Sequence, residues 1–167
     1  MGQPTFVLLV GTKFISDQLR LRPFRNNDDV AHALIWYQDP EMVYLVDGVR
    51  EPYTMEKLQR MYTYLNDYGQ LYWIDYLENG SWKAIGDVTL CEDDLPIVIG
   101  DMAYRGRGIG RAVLSRLIEE ARLAGRGYLA VREIYDFNLP SQACFEACGF
   151  QKVAQTEKGY SYRLNFP

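Results

Sequence analysis

The chain has 167 residues, 48% of them hydrophobic and 24% charged, and a net charge of −4. These are the proportions of one globular domain with a sizeable core, and the acidic balance excludes the broad basic face that nucleic-acid binding needs. Three cysteines (Cys91, Cys144, Cys148) without a Cys-x-x-Cys pair, and a single histidine, His32, supply too few parts for a disulfide framework or a metal site. Free thiols in a reducing cytoplasm are expected.

At the start, "FVLLV" (Phe6 to Val10) is too short for a signal-peptide core and follows no basic residue, and Phe6 stands where a myristoylation pattern needs Ser or Thr. No apolar run reaches membrane length, so no membrane partner is expected. Residues 1–13 read either as a short extra strand or as an addition to the natural start. "QLRLRPF" (Gln18 to Phe24) alternates apolar and basic residues with the period of a half-buried strand. Asp28 or Asn27 is the expected cap of a helix through "DVAHALIWYQ" that stops near Pro40. A second helix is expected over "TMEKLQRMYTYLND", with Thr54 as cap and Gly69 near its end. "LYWIDYLE" and "WKAIGDVTL" flank Asn79-Gly80, a hairpin signal, and "PIVIGD" forms a third strand after the turn "EDDLP". Next come a glycine-rich loop, a helix from Gly108 to Ala124, the strand "YLAVREIY", a short helix "SQACFEAC" ending at Gly149, and a last hairpin from "KVAQTE" and "YSYRLNF". The order β-α-α-β-β-β-α-β-α-β-β specifies a single α/β domain with a mixed sheet over residues 1–167, in which "IVIG" runs parallel to "YLAVREIY".

The stretch "YRGRGIGRAVLSRLIEEARLAG" (Tyr104 to Gly125) concentrates glycine and arginine at a helix start. Glycines bring backbone N–H groups close to an anion, and a helix N-terminus carries about half a positive charge. Arg105, Arg107 and Arg111 reinforce that field; the plainer alternative is a Gly-rich turn on a solvated basic face. A nucleotide P-loop requires Gly-Lys-Ser/Thr where this chain has Gly110-Arg111-Ala112. A dinucleotide fingerprint requires a small residue where Arg111 or Val113 stands.

Arg105, Gly108 and Gly110 instead fit R-x-x-G-x-G between a strand and a helix, and here the chain resembles the GNAT family of N-acetyltransferases, whose signature is Q/R-x-x-G-x-G/A. Further on, "NLPSQACFEACGF" (Asn138 to Phe150) is similar to that family's second element, N-x-x-S/A followed by a helix and Gly-Phe. The opening strand "LRLRPF" resembles the ribosomal-protein N-terminal (RimJ/RimL-like) branch. The resemblance covers Gln18 to the C-terminus. It implies a GNAT-like fold, acetyl-CoA as co-substrate with no metal, and acetyl transfer to a primary amine by direct attack. On that basis the N–H groups and side chains of Arg105, Gly106, Arg107, Gly108, Ile109, Gly110 and Arg111 hold the pyrophosphate. "IVIG" splays from "YLAVREIY" to admit the pantetheine arm, Asn138 bonds that arm, and Ser141 reaches the arm or the pyrophosphate. Each of the last two residues also has a plain reading as a helix-entry residue.

Direct attack needs a neutral amine, and an amine of pKa near 10.4 is almost wholly protonated at pH 7, so a general base helps. Asp101, where the third strand meets the loop, and Glu133, on the next strand, are the candidates; strand N–H groups around Ile99 to Asp101 could steady the oxyanion. Glu92, Asp93 and Asp94 read as a solvated turn. The chain departs from the family at Phe145, where many members carry a tyrosine that protonates the leaving thiolate; Tyr135 or a water could substitute. Cys144 and Cys148 lack a histidine partner and read as packing residues. Trp36, Tyr37, Asp39, Glu41, Tyr44, Asp47, Tyr160 and Tyr162 combine aromatic and acidic groups where the family builds its acceptor pocket. That chemistry suits a cationic acceptor, a small amine or a peptide N-terminus. A homodimer stays open, and so does a non-catalytic CoA-binding or sensory module of the same fold.

Overall fold

The computed structural model describes residues 11–167. A two-residue strand β1 (Lys13–Phe14) precedes β2 (Leu19–Pro23), whose Leu19 and Leu21 face inward as their alternation requires. The extra strand expected within residues 1–13 otherwise lies outside the described residues. Helix α1 (Ala31–Tyr37) begins without the expected cap. Asp29 accepts the Ala31 N–H, whereas Asp28 accepts the Arg25 N–H and the Trp73 indole N–H.

Pro40 ends this helix and opens another, α2 (Pro40–Asp47), absent from the sequence reading. Proline lacks the N–H that is an orphan at a helix start anyway. Asp39 caps the new helix by accepting the Glu41 N–H at 3.1 Å, and Gly48 closes it at φ 76°. Helix α3 (Met55–Tyr68) starts as expected, with Thr54 Oγ1 accepting the Lys57 N–H.

Strands β3 (Gly69–Glu78) and β4 (Ser81–Cys91) meet at Asn79-Gly80, both at positive φ, the geometry of a type I′ turn. β5 (Ile97–Ile99) completes an antiparallel sheet of order β1-β2-β3-β4-β5. The chain then passes through a short 3-10 turn (Met102–Tyr104) and α4 (Ile109–Leu123) to β6 (Tyr128–Tyr135). Helix α5 (Leu139–Ala147) follows, then the hairpin β7 (Gln151–Gln155) and β8 (Gly159–Asn165). These last strands form a second antiparallel sheet, β6-β8-β7.

The expectation that "IVIG" and "YLAVREIY" run as parallel neighbours is therefore corrected. β5 and β6 belong to different sheets, and among the described residues no ladder joins them. β6 takes its pairing from β8, and two carbonyls at the end of β5 are taken by the Arg105 guanidinium.

One core forms where α4 turns Ile109, Val113, Leu114, Leu117 and Ala121 inward against Leu21, Ile74, Ile85 and Phe145. A second, aromatic core packs α1, α2 and α3 on the sheet through Trp36, Tyr37, Val43, Leu58, Tyr62 and Trp73. Two glycines let β5 sit between these layers. A Cβ on Gly86 would lie 2.1 Å from the Val98 carbonyl oxygen, and one on Gly100 would lie 2.2 Å from the Trp36 ring.

Candidate functional site

β5 ends its sheet, so among the described residues one of its edges has no partner strand. That edge borders a cavity of about 570 Å3, walled also by the loop before α4, the first turn of α4, α2 and α5. The loop is bent by two left-handed glycines, Gly106 at φ 74° and Gly108 at φ 79°. Left-handed residues alternating with ordinary ones turn successive N–H groups to one concave side, which makes an anion cradle. Among the described residues, the six N–H groups from Gly106 to Arg111 find no acceptor. Their concavity opens on the cavity at the start of α4, where the helix field adds to theirs.

The arginines divide their work. Arg105 donates Nε to the Ile99 carbonyl at 2.8 Å and Nη2 to the Gly100 carbonyl at 3.3 Å, tying the loop to the end of β5. Arg107 lies over the Tyr104 ring, 4.8 Å from its centroid, and does not line the cavity. Arg111 lines the cavity. Asn138 caps α5 by accepting the Ser141 N–H, and its amide donates to the Leu45 carbonyl of α2 at 3.1 Å. Eight of the nine residues assigned to the cofactor from the sequence thus share this one cavity, and Arg107 is the exception.

Residues 18–151 match the family model described as the acetyltransferase (GNAT) domain. The chain belongs to the GNAT family.

Solved structures share its fold. A domain from Methanocaldococcus jannaschii superposes with a TM-score of 0.79 at 21% identity, covering 89% of this chain and 99% of that one. The ribosomal alpha-N-protein acetyltransferase RimL, in complex with coenzyme A, gives 0.72 at 15% identity, covering 92% and 97%. The spermidine N-acetyltransferase of Vibrio cholerae, in complex with CoA and spermine, gives 0.69 at 14%, covering 90% and 96%. Among curated proteins no sequence matches significantly.

The carboxylates named from the sequence sit outside this GNAT cavity, and no carboxylate lines it among the described residues. Asp101 caps the 3-10 turn by accepting the Ala103 N–H at 3.0 Å and pairs with Lys83 Nζ at 3.0 Å. Burial pushes its pKa up, but the Lys83 and Ala103 hydrogen bonds, with the charges of Lys83 and Arg105, outweigh burial and hold it below the usual carboxylate range. Glu133 Oε2 accepts from Thr156 Oγ1 at 2.6 Å and the Lys158 N–H at 3.0 Å, bracing the turn between β7 and β8.

Phe145 lines the cavity and is buried against Phe150, with no proton to give. Tyr135 lies outside the cavity lining; burial first, then the charges of Glu133, Asp47 and Glu157, push its hydroxyl pKa up. Cys144 lines the cavity, and burial pushes its thiol up to about 11, the environment of a packing residue. Among the described residues no cluster of histidine, cysteine or acidic side chains suits a metal ion.

None of the eight residues expected around the acceptor lines the cavity. Tyr37 donates to a buried carboxylate, Asp87, and Glu41 pairs with Arg50. Tyr44 stacks on Phe137, Asp47 accepts from the Tyr53 hydroxyl, and Tyr162 donates to Glu146. The wall the sequence reading missed is α2, which contributes Met42, Leu45 and Val46. Their i, i+3, i+4 spacing was the available signal.

Proposed function

We propose that this GNAT protein binds acetyl-CoA in the cavity and transfers the acetyl group to a primary amine by direct attack. The observation that carries this reading is that, among the described residues, the six N–H groups from Gly106 to Arg111 find no protein acceptor, beside a cavity and a strand edge without a partner. A pyrophosphate supplies the acceptors such a cradle lacks. The apolar wall below it suits a pantetheine arm, whose amides can pair with the open edge of β5 as an added strand would. The CoA held by RimL and by the spermidine acetyltransferase supports the same assignment. Their likeness, with the strand "LRLRPF", favours an acceptor that is a cationic amine or a protein N-terminus, in the ribosomal-protein branch of the family.

In this reading the attacking nitrogen approaches the thioester at the open edge of β5, where strand N–H groups steady the oxyanion. Of the two carboxylates, Asp101 is the better proton acceptor by position. It lies two residues beyond β5, and its ion pair keeps it ionised, while Glu133 is occupied by the β7–β8 turn. Proton return to the thiolate falls to water or Tyr135. With a thiol pKa near 8.5 the thiolate is a tolerable leaving group, so turnover survives the loss of the family tyrosine.

A second reading, a CoA-binding module without turnover, is favoured by one observation: among the described residues, neither a carboxylate nor a free tyrosine hydroxyl lines the cavity. Phe145 replaces one acid, and the Tyr104 hydroxyl is bonded to Glu78. The test is a thermal shift with acetyl-CoA followed by thiol release on a panel of peptides, polyamines and aminoglycosides. Stabilisation by acetyl-CoA with thiol release on an amine is expected; binding at 100 times Kd adds about 2.7 kcal/mol. Stabilisation without release across the panel selects the module, and no stabilisation rejects both.

A further inference from the structure

The cavity has two ends. At one, Gly110 in the N–H cradle meets Cys144 of α5; a Cβ added to Gly110 would lie 3.2 Å from that sulfur. At the other, Asn138 at the start of α5 bonds to Leu45 of α2. Cys144 and Asn138 lie six positions apart along the α5 wall of the cavity. A ligand with its pyrophosphate in the cradle therefore extends its reactive end toward α2. There the lining includes Met42, Leu45 and Val46 on one face of α2, and the β5 edge from Ile97 to Ile99.

We propose that α2 sets the length of the acyl group this site accepts, with Met42 as the residue that stops the chain. The inference rests on the proposed acyl-CoA chemistry and adds to it the identity of the wall. Met42 is 3% exposed and belongs at once to the cavity lining and to the aromatic core, where it sits with Trp36, Tyr37 and Val98. Trp36 is pressed against Gly100, and Tyr37 is bonded to Asp87, so the packing behind Met42 is fixed. The unbranched Met42 side chain is the pliable part of that wall. Nothing in this end of the lining is charged, which excludes an acidic acyl group and leaves chain length as the variable.

The experiment is titration calorimetry of the full chain with free CoA, acetyl-, propionyl-, butyryl- and hexanoyl-CoA. A buried methylene is worth about 0.8 kcal/mol, or about fourfold in affinity. In the wild-type chain, affinity is expected to stop rising after acetyl. Met42→Ala removes three side-chain atoms and opens room for two methylenes, so butyryl-CoA should gain about tenfold relative to acetyl-CoA, while Met42→Leu keeps the wild-type ladder. If Met42→Ala does not fold, Val46→Ala, at a partly exposed position of the same wall, is expected to shift the ladder in the same direction. CoA binding with a ladder that neither Met42→Ala nor Val46→Ala alters overturns this inference alone. No binding of any CoA by the wild-type chain overturns the proposed function and this inference with it.

Discussion

Asn138 holds two helices with one side chain: its carbonyl oxygen accepts the Ser141 N–H at the start of α5, and its amide donates to the Leu45 carbonyl of α2 at 3.1 Å. Asn138→Ala removes a cap worth about 1 kcal/mol and a hydrogen bond of similar size. Asn138→Asp retains the cap and loses only the donor. Thermal melts should show Asn138→Ala lowered by about 4–8 °C, given roughly 2–4 °C per kcal/mol in a domain of this size, and Asn138→Asp by about half as much. Equal losses in the two variants would assign the whole effect to the Leu45 bond.

The cradle makes a sharper demand at Gly108, whose φ of 79° disfavours any side chain although a Cβ there would meet no atom within 4 Å. Gly108→Ala should therefore cost about 1 kcal/mol of stability through the backbone alone. Gly108→Asp adds a negative charge beside the bound pyrophosphate, where like charges cost several kcal/mol. Calorimetry with CoA should find affinity reduced by 10²-fold or more in Gly108→Asp, and by far less in Gly108→Ala. Equal affinities for the two would remove the pyrophosphate from this loop.

The contrast between loop and acceptor region shows what a sequence exposes. Gly106 and Gly108 were legible because each meets a local requirement, a left-handed backbone angle, within a few residues of chain. Asn79-Gly80 and Thr54 were legible through local requirements of their own. Pro40 misled because one residue type stops a helix and starts the next, and only the Asp39 cap distinguishes the two roles. The aromatic and acidic residues near α1 and α2 have partners far along the chain: Tyr37 finds Asp87, and Tyr44 finds Phe137. Side chains that satisfy each other across 50 or 93 positions leave no periodic signal. The pairing of β6 was missed similarly, since β8 competes for its edge from the far end of the chain.

Asp101 separates a base from a cap. Asp101→Asn keeps an acceptor for the Ala103 N–H and loses the charge that faces Lys83. If Asp101 accepts the amine proton, kcat/KM should fall by about 10²-fold with CoA affinity unchanged. If it only shapes the loop, CoA affinity falls instead. Stability adds a second readout. The folded-state pKa of Asp101 is depressed, so its contribution is present above the unfolded value near 3.9 and is lost as pH falls through the folded one. The gap between wild type and Asp101→Asn in denaturation should thus be full at neutral pH and close in acid.

Asp87 reverses that sign. It is 2% exposed in the middle of β4, and one oxygen accepts from the hydroxyls of Tyr37 at 2.9 Å and Tyr62 at 2.8 Å. Burial raises its pKa to about 6, more than the two tyrosine hydrogen bonds lower it. Because the folded value lies above the unfolded one, the folded state binds the proton more tightly. The Asp87 contribution to stability is therefore fully present below pH 4, is lost as pH rises from about 4 to 6, and levels off beyond. The loss across that window is on the order of 3 kcal/mol. Asp87→Asn presents a neutral group of the same shape, with a carbonyl that still accepts from one tyrosine. Its denaturation midpoint should stay flat between pH 4 and 7 where the wild type falls, leaving the variant as stable as the wild type, or more so, at pH 7. Asp87→Ala leaves both tyrosine hydroxyls buried without an acceptor and should be less stable than either at every pH. Parallel pH curves for wild type and Asp87→Asn would show that Asp87 does not titrate in this range, and that its partners hold it ionised as firmly as water does.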